Sequence, residues 1–297
     1  MTATSTIQLT VSDSVSLRAI VRSHGWMQLQ PLRWDEEAAA LHSTQSVGED
    51  VVEVTFSQPS DRVIAMDTAS EAELAVSSHN ELVRRARWML ALDEDLTGFY
   101  ELCQAEPRLE HVLAEGKGRF LRSPTVFEDA VKCVCTTNTT WAQTKGMVQR
   151  LVERLGATSP VSDRHAFPTP HAVSTADQSV LDNEVRLGYR APYVHELAER
   201  YSTGELDLEA LKASDLPTAE LRKKLLGIKG VGPYAAASLL MLIGRYDYIG
   251  VDSWARKLVS EHFHGGQSVG EKQIQAAFER FGRWKALAYW FYRYDDR

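Results

Sequence analysis

The 297-residue sequence is poor in cysteine, has no long apolar run and carries no excess of positive charge. Cys103, Cys133 and Cys135 are too few, and odd in number, for a disulfide framework, and they point to a reducing compartment. All three lie in the first half of the chain, so nothing near the C-terminus could hold an iron–sulfur cluster, which needs about four thiolates. No Cys or His grouping has zinc-ligand spacing. The longest mostly apolar stretch, Tyr234 to Ile243, is too short to span a bilayer. The opening MTATSTIQLTVS has neither a basic start nor an apolar run, so no secretory signal is expected and the cytoplasm is the expected location. The net charge of −7 argues against a nucleic-acid partner, because phosphate binding rests on Lys and Arg.

The distribution of charge qualifies that exclusion. Residues 221–260 hold seven basic side chains (Arg222, Lys223, Lys224, Lys229, Arg245, Arg256, Lys257) and two acidic ones, Asp247 and Asp252. The remainder is 26 basic against 38 acidic. One basic patch on an acidic body suits contact with a polyanion through one face; a solvated helix face would look the same over Arg222–Lys224.

What is present falls into two regimes. Through residues 6–66, IQLTVSDSVSL, AALHSTQSV and VVEVTFSQ alternate apolar and polar residues and are rich in Val, Thr and Ile, the pattern of strands. Gly48-Glu49-Asp50 and Gln58-Pro59-Ser60-Asp61 supply turns. An antiparallel sheet covered on one side by a helix is expected. From about residue 70 the apolar spacing becomes three and four, and helices are expected over ELVRRARWMLAL, LTGFYELCQ and PRLEHVLAE. Ser123-Pro124-Thr125 opens one long amphipathic stretch that closes at Gly156. Residues 157–180 read as loop, and further helices run to the aromatic segment WKALAYWFYRY. The fold class is α+β: an antiparallel α/β domain over 1–85, a helical domain over 86–215 that takes in part of the C-terminal segment, and a last domain over 216–297 with a helix–turn–helix hairpin and the C-terminal helices.

The segment that carries chemistry is Leu226-Gly-Ile-Lys-Gly-Val-Gly-Pro-Tyr-Ala-Ala-Ala-Ser238, a helix, a glycine-rich turn and a second helix opening at Pro233. Gly227, Gly230 and Gly232 can take positive φ and admit a close backbone. Ile228 and Val231 would anchor the turn, and the free N–H groups of a helix N-terminus would bind an anion such as phosphate. A tight helix–turn–helix corner would need the same glycines. Twenty residues on comes Ile249-Gly250-Val251-Asp252-Ser253-Trp254-Ala255-Arg256-Lys257. Asp252 stands where it could cap the SWARKLV helix or present a catalytic carboxylate; capping would hold the carboxylate in place.

The hairpin followed at this spacing by a single aspartate resembles the helix-hairpin-helix DNA glycosylase superfamily (HhH-GPD), although Gly250 stands where that family usually has proline. Arg122-Ser-Pro-Thr-Val-Phe-Glu through Cys135-Thr-Thr-Asn-Thr-Thr-Trp, Lys145-Gly-Met-Val-Gln-Arg-Leu, Leu187-Gly-Tyr-Arg-Ala-Pro-Tyr-Val194 and Pro31-Leu-Arg-Trp34 are similar to eukaryotic 8-oxoguanine glycosylases. Phe281-Gly-Arg-Trp-Lys-Ala-Leu-Ala288 is similar to bacterial 3-methyladenine glycosylase II.

The resemblance implies two helical domains with an active site between them, and a monomer acting on double-stranded DNA that contains a damaged base. It implies that Asp252 stabilises the charge developing on the sugar while a flipped base occupies a pocket. Asn138 would fill the gap left in the helix, Tyr189 would intercalate and Arg190 would contact the orphaned base. Gly227, Lys229, Gly230, Gly232, Arg256 and Lys257 would meet the backbone. Tyr234, Trp141, Trp254, Leu29 and Ser238 would line the base pocket. Trp26 and Trp34 are further aromatic candidates, although for any one Trp core packing is the commoner role. No cofactor is required; Na+ or K+ could sit on the carbonyls near Leu226, Ile228 and Val231.

Three departures bear on the reaction. Tyr234 replaces the lysine that forms a Schiff base in bifunctional members, so a water nucleophile is expected. Gln143 replaces an arginine that reads the opposite cytosine, and Leu29 replaces a glycine that senses the oxidised base. The expectation is a monofunctional enzyme for alkylated purines, whose electron-poor rings suit aromatic faces. The alternatives are an 8-oxoguanine or other modified-base glycosylase, and a lesion-binding protein without catalysis.

Overall fold

The alternating segments form one five-stranded antiparallel sheet in the computed structural model, which describes residues 2–294. Its strands are β1 (Ala3–Thr10), β2 (Leu32–Asp35), β3 (Ala40–Val47), β4 (Asp50–Ser60) and β5 (Val63–Ser70), in the order β1-β5-β4-β3-β2. Gly48, at φ +60, makes the two-residue turn between β3 and β4, a conformation that favours glycine. The β4–β5 register shifts between Ser57 and Ser60, where Pro59 has no N–H to give the ladder. Val52, Val54 and Phe56 of β4 and Ile64 and Met66 of β5 are buried. Helix Val76–Met89 buries Leu82, Ala86 and Met89 and is tied to the sheet from Ser78 to Asp50 (3.0 Å) and from Arg85 to the Ser46 carbonyl (2.8 Å). The first expected strand is shorter than its pattern. It ends at Thr10, because Ser16 accepts from the Ala19 N–H and caps a short helix, Leu17–Val21.

Contacts group the chain into two compact units, Met1–Asp93 with Arg119–Glu209 and Glu94–Gly118 with Ala210–Arg297. The first unit therefore joins the sheet to the helices Val126–Cys135, Trp141–Leu155 and Ala191–Ser202. The second holds the helices Thr97–Ala105, Thr218–Leu226, Pro233–Leu242, Ser253–Phe263, Glu271–Ala277 and Lys285–Phe291. No helix among the described residues is long and apolar enough to cross a membrane.

The long helix expected after Ser123 is two helices. Val126–Cys135 ends in Thr136-Thr-Asn-Thr-Thr140, where the Thr136 and Thr137 hydroxyls donate back to the Cys133 and Val134 carbonyls. Thr140 then caps the next helix through a reciprocal pair with Gln143. The first of these helices is not amphipathic in effect, since all ten of its residues are buried. Its charges are matched internally: Lys132 Nζ lies 2.6 Å from Glu128 Oε1 and donates to Ser123 Oγ at 3.2 Å. Asp129 accepts from Trp26 Nε1 (2.7 Å) and the Ser123 N–H (3.0 Å), while its second oxygen is sealed away with no partner. Cys133 and Cys135 are buried in the same helix, and Cys103 is buried in the second unit.

Burial pushes the Asp129 carboxyl up from 3.8 to about 6, against the hydrogen bonds from Ser123 and Trp26 and the charge of Lys132. The folded chain holds this proton more tightly than the unfolded chain, so Asp129 costs stability as pH rises from about 4 to about 6. Asp129→Asn keeps an acceptor for Trp26 and cannot ionise. Urea unfolding at a series of pH values should show its stability relative to the parent rising by up to about 3 kcal/mol across that window and level above it.

Candidate active site

The hairpin is built on a helix with almost no free surface. In Pro233–Leu242 the residues Ala235, Ala236, Ala237, Leu239, Leu240, Met241 and Leu242 are buried. What remains accessible is one stripe: Pro233, Tyr234 (43% exposed) and, one turn on, the half-buried Ser238. Ser238 donates its hydroxyl to the Tyr234 carbonyl at 3.1 Å. The preceding helix, Thr218–Leu226, is fixed by Leu221 and Leu225 in the core and by a 2.6 Å hydrogen bond from Thr218 to Asp247. Between the helices, Ile228 and Val231 are buried as expected, and the Val231 N–H donates to the Ile228 carbonyl at 3.0 Å.

The three glycines of the turn have three different roles. Gly230 alone has positive φ, at +86. Gly227 (φ −75) closes the first helix, donating to the Lys223 and Lys224 carbonyls. Gly232 (φ −82, ψ −178) opens the second helix with no side-chain cap, and a Cβ there would meet nothing within 4 Å. Positive φ at Gly227 and Gly232, which the motif permitted, is therefore not adopted. Around the turn Lys223, Lys224 and Lys229 are exposed. Arg222 instead lies over the Tyr248 ring (4.5 Å) and beside Glu271 (3.8 Å), and Arg245 donates to the Ser214 carbonyl. The cationic surface is thus narrower than the run of basic residues suggests.

Asp252 is half-buried at the N-cap of Ser253–Phe263, with Oδ1 accepting from the Ala255 N–H at 2.7 Å. Two features place it. The Gln275 side chain clasps Ile249, accepting from its N–H (3.1 Å) and donating to its carbonyl (2.8 Å). Next to it, Gly250 comes so close to the hairpin's second helix that an added Cβ would lie 3.1 Å from the Ala237 Cβ. Neither feature carries a local sequence signal; Gly250 reads only as a departure from proline, and its reason is the close approach to Ala237. Past Asp252, Trp254 is 57% exposed with Lys257 Nζ 5.8 Å from its ring centroid, and Arg256 donates to the Val269 carbonyl at 3.0 Å.

The other expected site residues belong to the first unit. Asn138 takes φ +45, a left-handed conformation that Asn tolerates better than most residues, and its side chain is exposed at the break between the two helices. Tyr189, half exposed, accepts at its hydroxyl from Asn138 Nδ2 (3.4 Å) and donates to the Thr137 carbonyl (3.3 Å). Arg190 follows Tyr189 in the chain. Expected to face a base, it is 6% exposed, lies over the Tyr189 ring at 4.4 Å and donates to the Thr137 and Asn138 carbonyls. Its guanidinium holds the turn that presents Asn138. Gln143 is likewise engaged, accepting from Thr139 (2.7 Å) and from the Thr140 N–H (3.3 Å).

Two further expected pocket residues lie in the first unit as well. Leu29 is fully buried, its N–H donates to the Trp26 carbonyl, and its carbonyl accepts from Leu32. Trp141 is half-buried: its indole donates to Gln28 (3.0 Å) and lies against Gly25, where a Cβ would come within 2.5 Å of the ring. Trp26 is in the core, and Trp34 is held by Glu36 beneath Arg18. The structure therefore brings together Asp252, Tyr234, Ser238, Trp254 and the glycine turn in one unit, and Asn138, Tyr189 and Arg190 in the other. No group of three or more His, Cys, Asp or Glu among the described residues could hold a metal ion.

A family model, HhH-GPD superfamily base excision DNA repair protein, matches residues 131–283. The chain is 27% identical over 169 residues to the DNA-3-methyladenine glycosylase of Bacillus subtilis, a match covering 56% of this chain and 55% of that one. It thus spans about half the length of this relative. Among solved structures it is similar to the 3-methyladenine DNA-glycosylase from Archaeoglobus fulgidus, with TM-score 0.78, 21% identity and 96% and 97% of the two chains covered. It is similar as well to the apo-form of the Clostridium acetobutylicum 8-oxoguanine glycosylase/lyase, with TM-score 0.75, 22% identity and 99% and 98% covered. At these identities the likeness to the solved structures is one of fold.

The approach of Gly250 to Ala237 makes a testable demand. Gly250→Val must push the Asp252 loop off the helix, and should lose about 1–3 kcal/mol in urea unfolding, the usual range for overpacking. Gly250→Val should cost less in an Ala237→Gly background than in the parent; an equal cost in both would mean that the contact is not the cause.

Proposed function

The chain belongs to the HhH-GPD superfamily of base excision DNA repair proteins, and from that premise we propose that it is a monofunctional DNA glycosylase that hydrolyses alkylated purines from double-stranded DNA. The observation that carries this reading is the grouping of Asp252 with the one accessible stripe of the hairpin helix, which presents a phenol and no amine. Departure of a base leaves oxocarbenium character on the sugar, and an ionised carboxylate opposes it without forming a bond. Capping anchors one Asp252 oxygen, which fixes the direction of the carboxylate. The hairpin N–H groups and the exposed Lys223, Lys224, Lys229 and Lys257 supply the phosphate contacts. A Na+ or K+ ion on the carbonyls of Leu226, Ile228 and Val231 would add positive charge beside the same phosphate.

Tyr234 and Trp254 offer exposed aromatic faces, which attract an electron-poor or cationic ring more than a neutral one. An alkylated purine already has a weak glycosidic bond, so a carboxylate and water suffice. The names of the Bacillus subtilis and Archaeoglobus fulgidus proteins agree with this substrate class. The name of the Clostridium acetobutylicum protein favours the second reading, 8-oxoguanine, against which the burial of Leu29 and the engagement of Gln143 weigh. The third reading, lesion binding without catalysis, needs the hairpin but not Asp252.

Release of 3-methyladenine, 7-methylguanine and 8-oxoguanine from duplex oligonucleotides should be measured for the wild type and for Asp252→Asn. Methylated purines should be released, and Asp252→Asn should slow this by at least about 100-fold with DNA binding retained. Release of 8-oxoguanine alone would overturn the substrate class; binding without release of any base would establish the third reading.

Borohydride gives a separate check on the nucleophile. With Tyr234 in the stripe, the enzyme should not be trapped on damaged DNA and should leave an intact abasic site; a trapped covalent complex would mean that a lysine attacks.

A further inference from the structure

The segment Ile249–Val251, which leads into Asp252, belongs to no helix or strand and so has no backbone ladder of its own. Among the described residues its backbone makes two hydrogen bonds, both to one side chain. The Ile249 N–H donates to Gln275 Oε1 (3.1 Å), and Gln275 Nε2 donates to the Ile249 carbonyl (2.8 Å). Ile249 is fully buried, so both backbone groups need a partner within the protein. An amide suits the task, because it carries a donor and an acceptor side by side, as a neighbouring strand would. The helix that bears it, Glu271–Ala277, is seated by Ile274 and, just past its end, by Phe278, both fully buried. The same helix reaches the hairpin. Glu271 accepts from the Tyr248 hydroxyl at 2.7 Å and lies 3.8 Å from Arg222 of Thr218–Leu226, whose guanidinium covers the Tyr248 ring. One short helix thus supports both the first hairpin helix and the residue three positions before Asp252. Gln273, on that helix too, shows the local use of such a side chain: it accepts from the Gly270 N–H at 2.8 Å and caps its own helix. Gln275 gives its amide to another segment instead.

We infer that Gln275 is a positioning residue for base excision, its amide setting where the Asp252 carboxylate stands relative to the phosphate held by the hairpin. The inference rests on the glycosylase reading. The effect passes through Ile249 to Asp252 and needs no contact with DNA. A carboxylate that opposes charge on a sugar must be held closely in place, since a displacement of about 1 Å can cost about 100-fold in rate. Without the amide, Ile249–Asp252 keeps only the approach of Gly250 to Ala237 and the cap on Ala255, and the loop can settle in more than one place. The glycine turn and the exposed lysines around it are untouched, so DNA binding persists.

The test compares two variants on one helix. Gln275→Met keeps the length of the side chain and removes its amide; Gln273→Met removes the helix cap and leaves Ile249 alone. For each, the single-turnover excision rate at saturating methylated-purine duplex, the Kd for that duplex, Tm and hydrogen exchange at the Ile249 amide are measured. Gln275→Met should lower the rate at least about tenfold with Kd unchanged, the split that loss of an interaction acting only in the reaction produces. Exchange at Ile249 should rise in the same variant. Gln273→Met should excise at the parent's rate, with Ile249 still protected, even where its Tm is lower. An unchanged rate in Gln275→Met overturns the inference. So does an equal loss of rate in Gln273→Met, which would make helix stability the cause, and so does a loss of rate matched by a loss of binding. If Gln275→Met does not fold, Gln275→Glu decides, because it keeps the acceptor for the Ile249 N–H and loses the donor: a lower rate at unchanged Kd supports the inference and the parent's rate overturns it. If the wild type itself releases no base, the glycosylase reading falls and this one with it. If the wild type excises and Gln275→Met excises equally well, only this inference falls.

Discussion

The second hairpin helix, Pro233–Leu242, is enclosed on nearly every side, and the second unit is arranged around that constraint. A helix with no polar face cannot be moved or rotated without exposing Leu239–Leu242, so everything packed against it takes a fixed position. Its small side chains, Ala235 to Ala237, are what let the Gly250 backbone come into contact. That contact and the Gln275 clasp leave Asp252 little choice of place before it reaches the cap. The helix leaves one stripe open, at Tyr234 and Ser238. Under the proposed reading, a carboxylate held in this way would need little reorganisation during reaction, the main electrostatic advantage a folded site has over water.

The first unit solves a different problem with the same economy. Helix Val126–Cys135 is buried although it carries Glu128, Asp129 and Lys132, so each charge must find a partner within the protein or give up its charge. Lys132 and Glu128 do the first, and Asp129 leans towards the second. The helix cannot continue through Thr136–Thr140, where hydroxyls compete for backbone carbonyls, and the break turns Asn138 outward. Arg190 then fastens that break from beneath.

How much of this could be read from the sequence depended on the range of the interaction. The sheet, most helices and the pairing of the glycine turn with Asp252 follow from periodicity and short spacing, which are properties of neighbouring residues. The division of the long stretch after Ser123 was hidden because Thr is tolerated both in helices and at their ends, and only the Gln143 capping box decides it. The burial of Arg190 and Leu29, the fit of Gly250 on Ala237 and the Gln275 clasp all depend on segments brought together by the fold. An arginine next to an exposed tyrosine reads as a surface pair, yet its guanidinium is enclosed because two backbone carbonyls of a distant turn need donors. The hairpin and its two buried anchors, Ile228 and Val231, were legible; the contacts that support the Asp252 loop were not.

The three cysteines have a practical consequence. Each is buried, and burial pushes each thiol up, those of Cys103 and Cys135 to about 12, so the thiolate that reacts with electrophiles is scarce at neutral pH. The natural chain is therefore close to silent towards maleimides. A single cysteine introduced at an exposed position, such as Lys229 or Asn138, would be the one reactive handle on the molecule. A fluorophore there could report on the hairpin or on the helix break without the native thiols first being removed.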